Sequence, residues 1–128
     1  MAGNDMIRTV LSLTVLRTSN VDASLAFYRA LGLTFQPEQH GSGPVHYSCE
    51  LGHTVFEIYP GEPGAAPDRK SGGATMLGFT VESLDGVLDG LRLLEVEPVT
   101  PPKASAWGRR AVVIDPDGRA IDLIEATT

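Results

Sequence analysis

The sequence predicts an α+β fold built from two tandem modules, each with the order β-α-β-β-β. The main evidence is an internal repeat, in which residues 21–33 align with residues 84–96 at an offset of 63. Both segments have apolar residues at helical spacing and an Asp at the second position, and similar strand-like runs flank them. The 14 Gly and 9 Pro residues favour many turns and short strands.

The predicted elements of the first module begin with a strand over residues 10–16. A helix follows, with Ser19 or Asn20 as its N-cap and Gly32 at its end. The remaining strands of this module are predicted at residues 33–35, 45–51 and 54–59. The second module has a strand over 75–81, a helix capped by Ser83, and strands at residues 96–100, 110–114 and 120–124.

The chain length of 128 residues predicts one domain, residues 1–128. We expect the first module to cover about residues 7–60 and the second about residues 74–126. Residues 61–73 are rich in Gly, Pro and Ala and show no periodicity, which is typical of a linker.

Composition narrows the classes of function. A net charge of −6 without a basic stripe argues against binding to nucleic acid or to an anionic membrane. No apolar run approaches the length of a membrane helix. The single cysteine, Cys49, lies in an apolar run and is expected to be a packed side chain rather than a reactive thiol. With no signal-like start and no disulfide pair, the sequence favours a cytoplasmic protein.

Two stretches of the sequence are similar to a known family. In the first, residues 16–33, the pair Phe27-Tyr28 precedes Leu31-Gly32; the second combines Trp107-Gly-Arg-Arg with the turn 115–118 and the strand that follows. In combination they resemble the glyoxalase, bleomycin-resistance and extradiol-dioxygenase group, the vicinal oxygen chelate superfamily. The resemblance covers nearly the whole chain. It implies a curved sheet around a cleft, and a homodimer as in many members.

The alternation of the strands predicts which side chains face that cleft. Leu77, Phe79 and Val81 are expected under the helices, as are Phe56, Ile58, Ile121 and Leu123. The opposite, concave face then carries Val55, Glu57, Tyr59, Met76, Gly78, Thr80, Ala120, Asp122 and Ile124. A carboxylate on an otherwise apolar surface needs a partner. Glu57 and Asp122 are therefore the residues that require an explanation.

The resemblance implies four metal-ligand positions, one in the first and one in the last strand of each module. Alignment on the helices places Leu13 and Met76 at the first-strand positions and Glu57 and Asp122 at the last-strand positions. The two positions usually taken by His or Gln are thus lost. Two carboxylates alone favour only weak binding of hard ions. We therefore expect no metal and no cofactor, with a divalent metal on Glu57 and Asp122 as the alternative.

The three histidines, His40, His46 and His53, all lie in the first module. They are expected at the surface or in turns, unless His46 or His53 turns into the cleft and restores a ligand. Glu57 and Asp122, if close together, could instead share a proton.

The residues also fit binding without chemistry, as in the antibiotic-sequestering members of the family. Trp107, placed on a loop over residues 101–108, is a candidate stacking surface for a flat ligand. The apolar wall would come from Leu13, Val15, Tyr47, Tyr59 and Met76. The acids Glu57 and Asp122 would attract a cationic or hydrogen-bond-donating group, unless Arg109 or Arg110 pairs with them.

Three functions follow from these residues. The favoured one is a non-catalytic small-molecule binder, of the kind that sequesters an aromatic antibiotic. The alternative is a metal-dependent lyase, isomerase or dioxygenase of the glyoxalase kind with an atypical site. The third is a structural or protein-interaction module with a collapsed cleft. The sequence does not name the ligand, nor does it say whether one chain or two form the cleft.

Overall fold

The computed structural model describes residues 9–64 and 75–127, and confirms the predicted α+β fold with two β-α-β-β-β modules. The elements of the first module are β1 (Leu13–Thr18), α1 (Val21–Ala30), β2 (Gln36–Glu38), β3 (His46–Leu51) and β4 (Thr54–Pro60). Those of the second are β5 (Leu77–Val81), α2 (Leu84–Arg92), β6 (Thr100–Ser105), β7 (Gly108–Ile114) and β8 (Ala120–Glu125). Most of the predicted linker, residues 61–73, lies outside the described residues.

The two modules form two four-stranded sheets with the same strand order, β1-β4-β3-β2 and β5-β8-β7-β6. In each sheet the first and last strands of the module pair in parallel, and the other neighbours are antiparallel. The register repeats as well. Val15 lies opposite Glu57, and Gly78, its equivalent at the offset of 63, lies opposite Asp122. Glu57 and Asp122 therefore occupy equivalent positions.

Two strands lie further along the chain than the sequence predicted. The strand expected at residues 33–35 is found at Gln36–Glu38, and the one expected at 96–100 is found at Thr100–Ser105. The second shift brings Pro101 and Pro102, expected to break the strand, into β6. An edge strand tolerates proline because one of its sides needs no backbone donors, and a register irregularity falls between Thr100 and Lys103.

The helix ends follow the repeat closely. Asn20 and Ser83 are the N-caps. The side chain of each accepts one hydrogen bond, at 3.0 Å, from the backbone amide three residues further along the chain. At the other end, Gly32 has φ +105°, a left-handed conformation that ends α1. Its equivalent in the second module is Glu95, with φ +63°. The same backbone turn is thus made once by a glycine and once by a residue with a side chain.

One side of each sheet packs against the helices and forms a shared core. Tyr28 of α1 makes aromatic contacts both with Phe56 of β4 and with Phe79 of β5, which joins the two modules. Cys49 is buried in this core, as expected, and burial raises the pKa of its thiol. Within residues 9–64 and 75–127, neither helix has the length and apolar character needed to cross a membrane.

Candidate functional site

The candidate site is the side of each sheet that faces away from the helices, here called the helix-free face. The alternation predicted from the sequence is found: Phe56, Ile58, Ile121 and Leu123 are buried under the helices. Glu57 and Asp122 stand on the helix-free faces with 13% and 14% of their side chains exposed. Two carboxylates at this depth need partners, and the structure provides one for each.

A row of four side chains crosses the helix-free face of the first sheet. The Arg17 guanidinium lies 5.4 Å from the centre of the Tyr59 ring, and that ring stacks on His46 at 4.1 Å with an angle of 6° between the planes. The row ends at Glu38, whose Oε1 is 3.4 Å from His46 Nε2. It runs through all four strands, from β1 to the edge strand β2.

His46 is the partner of Glu57. Its Nε2 lies 3.7 Å from Glu57 Oε2 and 3.4 Å from the Tyr59 hydroxyl, while its Nδ1 lies 3.3 Å from the carbonyl oxygen of Pro44. Because a carbonyl only accepts hydrogen bonds, the contact with Pro44 places a proton on Nδ1. His46 is 1% exposed, so this imidazole is a fixed part of the sheet face rather than a surface side chain. The expectation of a surface or turn position is therefore wrong for His46, and it is right for His53, which is exposed in the β3–β4 turn.

Arg110 is the partner of Asp122. Arg110 Nε is 2.5 Å from Asp122 Oδ1, the distance of a close ion pair, yet the N–H does not point at that oxygen. The carboxylate is thus neutralised in charge while Oδ1 accepts no hydrogen bond from the described residues. That oxygen is also shielded from solvent.

Three other predicted site residues are placed differently. Arg109 contacts Asp85 at 3.1 Å and Glu125 at 3.7 Å, on the helix side of the second sheet, so it does not lie beside Asp122. Tyr47 packs against the core, on the same side as its strand partner Ile58. Trp107 lies in the short β6–β7 turn rather than on a loop over residues 101–108, and it is 76% exposed.

Leu13 and Val15 add apolar side chains to the helix-free face of β1, and Met76 directly precedes β5. Leu13 and Met76 are exposed, and Val15 is half-buried beside Glu57. The family that the sequence resembles holds its metal at four positions, and the residues at these positions in this chain do not fit a metal. Leu13 has no donor atom, Met76 offers only a thioether, and Asp122 already has Arg110 as its partner.

A buried polar network fixes the two modules relative to each other. The side chain of Asp115 accepts hydrogen bonds from the Tyr28 hydroxyl at 2.6 Å, from Arg119 at 3.0 Å, and from the backbone amides of residues 117 and 119. Burial and the Asp115 charge raise the pKa of Tyr28. Arg119 also donates to the carbonyl of Arg17, at the end of the row on the first sheet. The sequence motif at 115–118 predicted only a turn, because its partners are distant in the chain.

The protein has two β-α-β-β-β modules, and the helix-free face of each carries an acid with a basic partner, Glu57 with His46 and Asp122 with Arg110. The chain belongs to the Glyoxalase/Bleomycin resistance protein/Dioxygenase superfamily, whose family model matches residues 10–123. No curated protein matches the chain.

Solved structures show the same fold. TnmS3, an antibiotic binding protein from Streptomyces sp. CB03234, is 22% identical with a TM-score of 0.69, covering 95% of this chain and 99% of that chain. A glyoxalase family protein from Enterococcus faecalis is 23% identical with a TM-score of 0.66, covering 92% and 98%. The oxidase ChaP-H2 is 17% identical with a TM-score of 0.65, covering 94% and 96%. At these identities the likeness shows the fold, which both binders and an oxidase share.

Proposed function

We propose that the protein binds a small, flat, partly aromatic molecule on its helix-free faces and sequesters it without changing it. The observation that carries this proposal is the pair of equivalent acids, Glu57 and Asp122, each with its own basic partner on a helix-free sheet face. The apolar part of a ligand would cover Leu13, Val15 and Met76. A cationic group would meet Glu57, and a neutral hydrogen-bond donor would meet the part-exposed carboxylate of Asp122.

The residues at the family's usual metal positions lack suitable donor atoms in this chain. This supports binding of a small molecule over metal-dependent chemistry at those positions. Leu13 and Met76 replace the side chains that would hold a metal there, and an exposed methionine suits an adaptable apolar surface. The antibiotic binding protein TnmS3 has the same fold, which makes an aromatic antibiotic a reasonable ligand class. Trp107 supplies exposed aromatic surface for stacking, whereas the Tyr59 ring is already engaged by His46 and Arg17.

The proposal includes a homodimer in the cytoplasm. A second copy could cover the exposed apolar side chains of the helix-free faces and close the cleft, and the single buried Cys49 suits a reducing compartment. Sedimentation of the purified chain checks the oligomeric state. A monomer at all concentrations would contradict the dimer but leave binding within one chain to be measured.

Binding can be followed by fluorescence because Trp107 is the only tryptophan. The full-length chain is titrated with flat aromatic antibiotics that carry an amine and with matched compounds that lack one. Saturable quenching is expected, and Glu57→Gln should weaken binding of the amines about tenfold, corresponding to one lost charge-assisted contact of about 1.4 kcal/mol. Asp89→Asn, which removes an exposed acid of α2, is the matched control.

The same samples distinguish binding from catalysis. After incubation with the protein, the compound is recovered and its mass is measured. Unchanged compound with saturable quenching supports sequestration. Conversion of the compound that stops in the Glu57→Gln variant would establish the enzyme of the glyoxalase kind instead, and absence of quenching with any compound would favour a structural module.

A further inference from the structure

A cluster of metal-binding side chains lies at the β2 edge of the first sheet. Glu38, His40 and His46 each offer one donor atom, and these three atoms all lie within 4.8 Å of one another. Glu38 Oε1 is 3.4 Å from His46 Nε2 and 3.9 Å from His40 Nε2, and the two imidazole rings are 5.0 Å apart.

We propose that Glu38, His40 and His46 bind one divalent transition-metal ion, with Zn²⁺ as the best match to their chemistry. Two imidazole nitrogens and one carboxylate oxygen form a donor set that Zn²⁺ prefers. In a tetrahedral site, with metal–ligand distances of about 2.0–2.2 Å, neighbouring ligand atoms lie about 3.3 Å apart. The contact between Glu38 and His46 has this length already. His40 is 74% exposed and is free to rotate the short remaining distance.

His46 has the orientation of a metal ligand. Its Nδ1 donates to the carbonyl of Pro44, so Nε2 is the nitrogen left for a metal, and it faces Glu38 Oε1 at 3.4 Å. Burial and stacking on Tyr59 hold the ring in this position. A hydrogen bond to the second ring nitrogen is the usual support of a metal-bound histidine. Glu57 Oε2, 3.7 Å from the same nitrogen, can supply a fourth ligand atom.

A protonated His46 between two carboxylates would also account for the positions of Glu38 and Glu57. It does not account for His40, whose ring lies beside that of His46 and whose nitrogen is directed at the same Glu38 oxygen. One metal ion between the two rings would account for the positions of all three side chains.

Comparison with the second module indicates that this set of metal-binding side chains is specific to the first module. At the positions equivalent to Glu38 and His46 it carries Lys103 and Arg110, which are paired across β6 and β7. Two fixed positive charges exclude a cation there. The proposed site is also separate from the family's usual positions, since of those four only Glu57 lies near it.

The test uses the full-length chain without an affinity tag, stripped of metal with a chelator and then dialysed. Zn²⁺ is titrated in competition with a chromogenic chelator, and Co²⁺ is added separately because its visible absorption reports four-coordinate nitrogen and oxygen ligation. We expect one ion per chain. His40→Ala and Glu38→Gln should each weaken Zn²⁺ binding at least tenfold, and His53→Ala, in the β3–β4 turn, should leave it unchanged.

The two test variants alter side chains that are largely or partly exposed, so they are expected to fold, which thermal melting of the metal-free proteins checks. Excess Zn²⁺ should raise the melting temperature of the wild type and of His53→Ala, but not of His40→Ala. The proposal is overturned by any other pattern: no saturable binding, equal weakening by His53→Ala, or loss of binding in Asp122→Asn alone. The antibiotic titration is also repeated in excess chelator. Failure of Zn²⁺ binding can then be distinguished from failure of the proposed antibiotic binding.

Discussion

The two modules share one backbone plan but differ in the charged residues on their helix-free faces. In the first sheet the row from β1 to β2 reads Arg17, Tyr59, His46, Glu38. The positions equivalent by register in the second sheet are Thr80, Ile124, Arg110 and Lys103. Each module retains an acid at the same place, and each places a nitrogen base next to it, a histidine in one and an arginine in the other.

This difference shows which positions the repeat constrains. Strand order, N-caps and the turn that ends each helix are the same in both modules, because they determine whether the module folds. The helix-free faces have diverged in charge because nothing in the core depends on them. A permanently charged arginine closes the Asp122 side to cations, whereas the histidine on the Glu57 side can be neutral and bind one.

The largest expected effect concerns the turns between the last two strands, which differ most between the modules. The β7–β8 turn carries Asp115, which is fully buried among four donors, whereas the β3–β4 turn carries only exposed side chains such as His53. Asp115→Ala should cost about 3–5 kcal/mol, because it leaves the buried Tyr28 hydroxyl and two backbone amides without their acceptor and removes the nearer of the two carboxylates that pair with Arg119. Denaturant unfolding measures this loss. His53→Ala is the control, and an equal loss there would contradict the assignment.

Asp117, in the same turn, gives a smaller effect that depends on pH. Burial alone would raise its pKa, but hydrogen bonds from Thr18 and Ser19, together with Arg119, hold the pKa below its ordinary value of 3.8. Folding therefore favours the ionised form, and the stabilisation is present above pH 3.8 and is lost as the pH falls through the lower folded value.

Asp117→Asn should accordingly destabilise the protein by about 1–3 kcal/mol near neutral pH. The difference from the wild type should shrink in acid. Unfolding curves of both proteins at several pH values test this, and a difference that stays constant down to strongly acidic pH would show that the charge is not responsible.

The helix ends offer a reciprocal test of about 1 kcal/mol, the usual effect of an L-residue in the left-handed conformation. Glu95→Gly should stabilise the protein, and Gly32→Ala should destabilise it by a similar amount. An added Cβ at Gly32 meets no atom within 4 Å, so the cost comes from φ alone. Thermal melting of both variants measures the two shifts, and shifts of the same sign would contradict the equivalence of these positions.

The smallest expected effect is at the exposed pair of Arg109 and Asp85. Arg109 holds the pKa of Asp85 below its ordinary value, but both side chains are in solvent. Arg109→Gln should change stability only slightly and leave antibiotic quenching unchanged. Substitution of Arg110 should alter binding at Asp122. If Arg109→Gln weakens binding more than Arg110→Gln does, the assignment of Arg110 to the helix-free face is wrong.

The sequence predicted the faces of the strands well because a half-buried strand alternates strictly, and Glu57 and Asp122 stood out by that rule. The sequence did not show which of Arg109 and Arg110 lies on the same face as Asp122. Neighbours on one strand point to opposite sides of the sheet, so the register of β7 against β8 was needed to decide. It also missed the contact of His46 with Glu57, since pairing between strands is not local information. The shift of β6 was missed because a proline pair breaks a central strand but not an edge strand.

The prolines at the sheet edges have a consequence for how this chain meets other chains. Both β2 and β6 are edge strands, and they carry Pro37 and the pair Pro101-Pro102. Each proline lacks the amide that a neighbouring strand would need. The prolines therefore disfavour addition of a further strand at these edges, whether from a bound peptide or through aggregation. Contacts with a second chain are left to the sheet faces and to the edges formed by β1 and β5.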